Sequence, residues 1–152
     1  MATGETRSTR RTQRSGAGKG RIFCADIAAP EGYSASDRPD IRVLAQNLPE
    51  PIDLDVDAES LTLYWTDRGE LPYGNTLNSM KLDSSGQVAA SQPKKILVRN
   101  LNEAIGVKLD VKNKHVYLTD LGGSLYRCDL EGGNCTKLFE NSSMALTGLT
   151  IL

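Results

Sequence analysis

The 152-residue sequence predicts an all-β fold, and three observations lead to this prediction. A long segment, residues 41–69, recurs without a gap as residues 94–122. Within each copy, short segments alternate apolar and polar residues, which is the period-two pattern of a strand. Clusters of Pro, Gly, Asn and Ser separate these segments, as turns require. No segment has a helical period of adequate length, so we expect strands throughout.

The internal repeat becomes visible when residue 41 is placed opposite residue 94. A gapless register over this length is not expected by chance. Shorter matches extend the similarity, because "GRIFCADI" (20–27) is similar to "GSLYRCDL" (123–130). The repeat period is about 40–55 residues, which is typical of a propeller blade. Identical residue types meet their counterparts at Leu44, Asn47, Leu48, Glu50, Ile52, Asp57, Tyr64, Thr66, Asp67 and Gly69.

Each repeat contains four segments that are typical of strands, and the fullest set lies between residues 51 and 100. In chain order these are "PIDLDV" (51–56), "LTLYWTD" (61–67), "GNTLNSMKLD" (74–83) and "KKILVRN" (94–100). Residues 104–141 predict a second complete four-stranded blade. Residues 21–48 predict only the outer strands of an earlier blade, and residues 145–152 only the inner strand of a later one.

The segment "LTLYWTD" carries large side chains on both faces of its predicted strand. Tyr64 and Trp65 point to opposite faces, because successive side chains alternate along a strand. A propeller blade packs against a neighbour on each side, so both of its faces need apolar residues. Asp67 would be costly to bury without a hydrogen bond. Its recurrence as Asp120 predicts a repeated structural hydrogen bond.

These motifs resemble the YWTD β-propeller, the class B repeat of low-density lipoprotein receptors. Asp57 precedes Tyr64 by the same spacing that separates Asp110 from Tyr117. The segment "YWTDRGELPYGNTLN" (64–78) resembles receptor-less fungal and bacterial members more than receptor modules, and no cysteine-rich growth-factor module is seen in the sequence. The resemblance implies a six-bladed ring in which the strand that ends at Asp57 is innermost. It implies structural roles for Asp57, Tyr64, Trp65, Asp67, Asp110, Tyr117 and Asp120.

The resemblance also implies that loops at one end of the blades bind ligands, usually proteins or peptides. The loop residues that would lie toward this face are Pro49, Glu50, Arg68, Glu70, Tyr73, Asn102 and Glu103. A ring of six blades needs about 250 residues. The chain therefore predicts a partial propeller, residues 20–152, with two complete blades and strands of two incomplete ones. This length is compatible with two alternatives. Copies of the chain could associate to complete the ring, or the chain could be a truncated relic without independent function.

The composition of residues 1–19 predicts that they form a disordered basic tail. Residues 1–21 contain six basic residues and one acidic residue, with almost nothing apolar to offset the entropy cost of ordering. The segment "GAGKGR" (16–21) does not match a phosphate-binding loop, because Lys19 is followed by glycine instead of Ser or Thr. No nucleic-acid partner is predicted.

The cysteine count and the apolar content bear on location. Three cysteines, Cys24, Cys128 and Cys135, and the lack of a signal peptide argue against a disulfide framework and for a reducing compartment. No apolar run approaches the roughly 20 residues that cross a bilayer. The sequence therefore predicts a cytoplasmic protein with no membrane partner.

Candidate chemistry is confined to an acidic row on the predicted inner strand. Asp53 and Asp55 could contribute oxygen ligands to Ca²⁺, but the next repeat has Gly106 and Lys108 at these positions. No cofactor and no catalytic set is predicted. The favoured function is a non-enzymatic module that binds a protein or peptide. The alternative is a six-bladed lactonase or hydrolase-like enzyme with a central divalent metal.

Overall fold

The computed structural model describes residues 18–89 and 93–151, and residues 1–17, which include most of the predicted tail, lie outside this range. The described residues contain ten strands and no helix, and therefore no helix long and apolar enough to cross a membrane. The strands are β1 (Gly20–Cys24), β2 (Arg42–Leu48), β3 (Pro51–Asp57), β4 (Thr62–Asp67), β5 (Thr76–Lys81), β6 (Lys95–Val98), β7 (Ala104–Asp110), β8 (His115–Asp120), β9 (Ser124–Asp129) and β10 (Thr136–Glu140).

The strands form three antiparallel sheets. The first blade has the order β3-β4-β5-β6, the second blade has the order β7-β8-β9-β10, and β1 pairs with β2 as a preceding pair. Each blade is a simple meander, so the strand that begins it lies at one edge and its second strand is interior. The all-β prediction and the predicted pair of complete four-stranded blades are confirmed.

The two blades repeat the same pairing register. Leu54 pairs with Trp65 in the first blade, and Val107 pairs with Leu118 in the second. In both blades the register shifts near the start of the inner strand, between Pro51 and Leu54 and between Ala104 and Val107. The sequence repeat is therefore a repeat of strand pairing as well as of residue type.

Two hydrophobic clusters lie on opposite faces of the first blade. Tyr64 and Leu77 pack with second-blade residues that include Val116. Trp65 packs with Leu63, Met80, Ile22 and Leu48, where the last two come from the preceding pair. Consecutive residues of β4 therefore serve two different cores, because side chains alternate across a strand.

The apolar side chains of the two inner strands, β3 and β7, differ in how far they are exposed. Ile52, Leu54 and Val56 of β3 are 42%, 48% and 42% exposed. Val107 and Leu109, at the positions of Leu54 and Val56 in the second blade, are 2% and 8% exposed. The difference arises because the first blade covers β7, whereas the described residues supply only the outer pair β1–β2 in front of β3.

Residues 145–151 do not form the strand that the sequence predicted for them. They nevertheless lie against the second blade, where Leu146 N donates to Asp120 O at 3.1 Å and the Thr119 hydroxyl donates to Thr147 O. Thr66 of the first blade makes the equivalent bond to Ile105 O of β7. The segment thus occupies the inner position, but no described strand pairs with it, so no ladder forms.

Cys128 and Cys135 form a disulfide, which contradicts the prediction from the cysteine count. The β9–β10 hairpin pairs Arg127 with Thr136, so the two cysteines that follow and precede these residues face each other. The prediction used the number of cysteines in the whole chain, whereas the disulfide depends on the local register of the β9–β10 hairpin. Cys24 is free. The argument for a reducing compartment therefore fails, and a cytoplasmic location stays a prediction.

Replacing Trp65 by alanine is expected to lower the free energy of unfolding by about 3–5 kcal/mol. Trp65 is fully buried at the centre of the cluster between the first blade and the preceding pair. Urea unfolding followed by far-ultraviolet circular dichroism would measure the change. Tyr73→Ala, at an exposed loop position, is the control. A loss below about 1 kcal/mol for Trp65→Ala would contradict the packing described.

Candidate functional site

The loops that join the strands converge at one end of the two blades. We call this end the loop face and define it by residues 49–50, 68–75, 99–103 and 121–123. Arg68 N donates to Glu50 O at 2.9 Å, and Leu121 N donates to Glu103 O at 3.1 Å. These are equivalent positions of the repeat, so each blade fixes its own entry loop by the same backbone bond.

Two buried aspartates at the ends of β4 and β8 accept hydrogen bonds from the backbone of the loop face. Asp67 Oδ1 accepts Glu50 N at 2.5 Å, and Asp120 Oδ2 accepts Asn102 N at 3.1 Å. Asp120 also accepts Ser124 N and the Tyr126 hydroxyl. Burial raises the pKa of Asp67 above its ordinary value, against the lowering effect of its bond to Glu50 N. Both carboxylates are therefore buried beneath the loops and bond to the loop backbone.

An ion cluster joins the two blades at the loop face. Arg68 Nη2 lies 2.5 Å from Glu50 Oε1, and Arg68 Nη1 lies 3.9 Å from Glu103 Oε2. The hydrogen bond to Glu50 raises the pKa of Arg68, so the guanidinium stays charged. All three side chains are partly exposed. Exposed ion pairs of this kind add little to stability.

The other predicted loop residues occupy the same face without joining the ion cluster. Pro49 packs on Gly69, where a Cβ would lie 2.5 Å from Pro49 Cβ. Asn102 packs on Gly122, where a Cβ would lie 2.3 Å from Asn102 Nδ2. Tyr73 is exposed in the 68–75 loop, which Gly74 N closes by donating to Glu70 O at 2.8 Å.

The structure adds two residues to the loop face that the predicted set lacks. Asn75 Oδ1 accepts Glu103 N at 3.0 Å, and Asn75 O accepts Leu101 N at 3.1 Å. Asn75 has a φ of 54°, a left-handed conformation that asparagine tolerates better than most residues. Arg99 Nη1 donates to Pro72 O at 2.8 Å. In the sequence, only the turn composition around Asn75 indicated that this residue lies in a loop, and no feature marked Arg99 as part of the loop face.

Asp53 and Asp55 connect the two inner strands. Asp53 Oδ2 accepts Val107 N at 3.0 Å, and Asp55 Oδ2 accepts Leu109 N at 3.0 Å. Their Oδ1 atoms accept the N–H groups of Leu54 and Val56 on their own strand. Both carboxylates thus have backbone donors on either side.

This arrangement does not suit a metal ion. Lys108 Nζ lies 2.8 Å from Asp55 Oδ2 and occupies the space that a cation would need. Burial acts to raise the pKa of Asp55, but its bonds to Lys108 and Leu109 N outweigh this and lower it. Within residues 18–89 and 93–151, no group of three or more His, Cys, Asp or Glu side chains is placed to hold a metal. The Ca²⁺ hypothesis for Asp53 and Asp55 therefore lacks a suitable donor set.

Asp57 and Asp110 occupy equivalent turns at the opposite end of the blades. Asp57 accepts Ser60 N and the Ser60 hydroxyl, and Asp110 accepts the backbone and side-chain amides of Asn113. The serine hydroxyl lowers the pKa of Asp57 despite burial. Tyr117, partly buried on β8, has its ring edge-on to His115 at 6.5 Å. These residues shape turns and strands, far from the loop face.

A cleft of 710 Å³ opens between the two blades at this opposite end. We call it the turn-side cleft. It is lined by the β3–β4, β7–β8 and β9–β10 turns and by parts of β4, β5 and β6. None of the predicted ligand-binding residues lies in it. Sequence reasoning missed it because turns that are distant in the chain form it together, and no single motif marks it.

Two curated proteins are similar to this chain in sequence. No protein-family model matches it. It is 45% identical over 138 residues to the 3-hydroxyacyl-CoA dehydrogenase-like protein LAM1 of Cochliobolus heterostrophus, covering 88% of the chain and 29% of that protein. It is 43% identical over 125 residues to the low-density lipoprotein receptor-related protein 1 of Pyricularia oryzae, covering 80% and 39%.

A solved structure has the same fold. A chain in the crystal structure of a nidogen/laminin complex matches with a TM-score of 0.61 at 16% identity, over 82% of this chain and 43% of that one. The chain spans about a third of the length of the two curated relatives. The Tyr-Trp-Thr-Asp motif, the blade architecture and these similarities identify it as a YWTD-type β-propeller domain, of which the described residues form two complete blades.

Proposed function

We propose that the chain is a non-enzymatic binding module whose ligand, a protein or peptide, contacts the loop face. The observation that carries the proposal is the ion cluster of Glu50, Arg68 and Glu103, in which two blades bring partly exposed charges together. Binding residues are commonly found on loops that a rigid scaffold positions. Here the paired aspartates Asp67 and Asp120 provide that scaffold.

The loop face offers groups that are typical of a protein contact. The Arg68–Glu103 pair, at 3.9 Å, is longer than the Arg68–Glu50 pair, so Glu103 is the carboxylate that a basic ligand group would engage most readily. Exposed Tyr73 adds an aromatic ring, a residue type enriched at binding hot spots. Together they suit a ligand with a basic side chain beside an apolar one.

The names of similar proteins support this class of function. One relative is named as a receptor-related protein, and the structural neighbour was crystallised in a nidogen/laminin complex. The dehydrogenase-like name belongs to a relative of which this chain spans 29%. Because the match covers so small a part of that relative, its name says nothing about the activity of this chain.

The charge reversal Glu103→Lys is expected to weaken peptide ligands of the loop face at least about tenfold, which is about 1.4 kcal/mol, because it removes the carboxylate that a basic ligand group would engage. Peptides selected from a random display library against the unmodified chain would be measured by fluorescence anisotropy. Glu140→Lys on β10 is the matched control, since it reverses an exposed negative charge outside the loop face. Selected peptides that bind both variants equally well would contradict the proposal.

Calcium ions are expected to leave the thermal midpoint unchanged. The oxygens of Asp53 and Asp55 that a metal would use already accept backbone N–H groups. Thermal unfolding in millimolar CaCl₂ and in chelator would be compared by circular dichroism. A rise of several degrees with Ca²⁺ would instead favour the enzyme alternative with a central divalent metal.

A further inference from the structure

Two short segments of the chain match Asn-x-Ser/Thr, the acceptor sequence for N-linked oligosaccharides. They are "NCT" (134–136) in the β9–β10 hairpin and "NSS" (141–143) directly after β10. Tripeptides of this kind are common by chance and are used only on the surface of secreted chains. A match therefore carries weight only where the compartment and the local structure also suit the modification.

The disulfide of the second blade bears on the compartment. Cys128 and Cys135 are bonded across the β9–β10 hairpin. Disulfides form and persist in oxidising surroundings such as the lumen of the endoplasmic reticulum, and they are rare in the cytosol. Secreted chains receive their N-linked oligosaccharides in that same lumen. The disulfide and the acceptor sequences therefore indicate the same compartment.

The side chain of Asn141 is placed to carry a substituent. Residues 141–144 are all exposed. Asn141 Oδ1 accepts the Ser143 N–H at 3.1 Å and the Ser143 hydroxyl at 2.7 Å. Both bonds use the oxygen of the side-chain amide, so neither engages Nδ2, the atom to which a sugar is attached. The hydroxyl that completes the acceptor sequence thus lies against the amide that would be modified.

The backbone around Asn141 is held without the help of Nδ2. Asn141 N donates to Gly123 O at 2.9 Å, and Met144 N donates to Asn141 O at 3.0 Å. These bonds join backbone atoms only. A sugar on Nδ2 therefore breaks none of the hydrogen bonds that fix this turn.

The other acceptor sequence is less suitable. Asn134 Nδ2 already donates to Asp129 Oδ2 at 2.6 Å. Its middle residue, Cys135, is held by the disulfide, and Thr136 is the first residue of β10 and pairs with Arg127. The attachment atom and both following residues are thus engaged in the hairpin. Asn134 serves as an internal comparison for Asn141.

The position of Asn141 also suits the physical effect of a glycan. It follows β10, which is the outer edge strand of the second blade. Leu138 and Phe139 on this strand are 46% and 45% exposed. An exposed edge strand with apolar side chains tends to pair with other chains. A bulky, hydrophilic oligosaccharide at its end would hinder such pairing.

We propose that Asn141 carries an N-linked oligosaccharide. The donor is an oligosaccharide linked to a polyprenyl diphosphate. Asn141 Nδ2 bonds to the anomeric carbon of the sugar while the bond from that carbon to the diphosphate oxygen breaks. The diphosphate leaves with the electron pair, and Nδ2 loses one of its two protons to solvent, so no oxidant or reductant is needed. The proposal does not depend on the function of the loop face and is incompatible with the predicted cytoplasmic location.

The first measurement uses the protein isolated from the cells that produce it. Mass spectrometry before and after treatment with peptide-N-glycosidase should show the loss of one oligosaccharide. Peptide mapping of the treated protein should find aspartate at position 141, because the enzyme hydrolyses the modified amide, and asparagine at position 134. An unmodified Asn141 in the isolated protein would overturn the proposal.

Variants made in the same cells test the assignment. Ser143→Ala removes the hydroxyl that the acceptor sequence requires and should abolish the mass loss. Ser142→Ala, the matched control, changes the exposed neighbour but keeps the acceptor sequence, and it should retain the mass loss. Asn141→Gln should behave like Ser143→Ala, which covers the case in which loss of the Ser143 hydroxyl alters the turn. Mass loss that persists in Ser143→Ala and Asn141→Gln, or that disappears in Asn134→Gln, would overturn the proposal.

Discussion

The arrangement of the two blades depends on side chains of the first blade that bond to the backbone of the second. Asp53 and Asp55 accept the N–H groups of Val107 and Leu109, and the Thr66 hydroxyl donates to Ile105 O. These bonds set how β3 and β7 lie against each other. That spacing brings Glu103 within reach of Arg68 at one end and leaves the turn-side cleft open at the other.

The second constraint is that a blade needs a cover on both faces. The first blade satisfies it toward the second blade, where Tyr64 packs, and in part toward the preceding pair, where Trp65 packs. Among residues 18–89 and 93–151, nothing covers the inner end of that second face, and Ile52, Leu54 and Val56 are partly exposed there. Apolar rows of this kind are typical of surfaces that another chain or segment covers. Self-association that completes the propeller stays a prediction.

Local pattern was sufficient to predict the ten strands that form, because alternation and turn composition act over a few residues. It also predicted a strand at residues 145–152, where none forms over the described residues because no described strand pairs with that segment. The repeat extended this to blade order, and adjacent large residues at Tyr64 and Trp65 indicated a sheet packed on both faces. The roles of Asp53 and Asp55 could not be predicted, since their partners belong to another blade and their positions are not repeated there. The Cys128–Cys135 bond depends on hairpin register, and the turn-side cleft on the distance between blades, neither of which the sequence pattern reports.

Native-state hydrogen exchange at Val107 and Leu109 tests most directly whether the inner-strand carboxylates join the blades. The N–H groups of Val107 and Leu109 donate to Asp53 and Asp55 of the other blade. In the double variant Asp53→Ala, Asp55→Ala, the account predicts exchange at these two amides at least about tenfold faster, with little change at Val116. Unchanged protection at Val107 and Leu109 in that variant would contradict it.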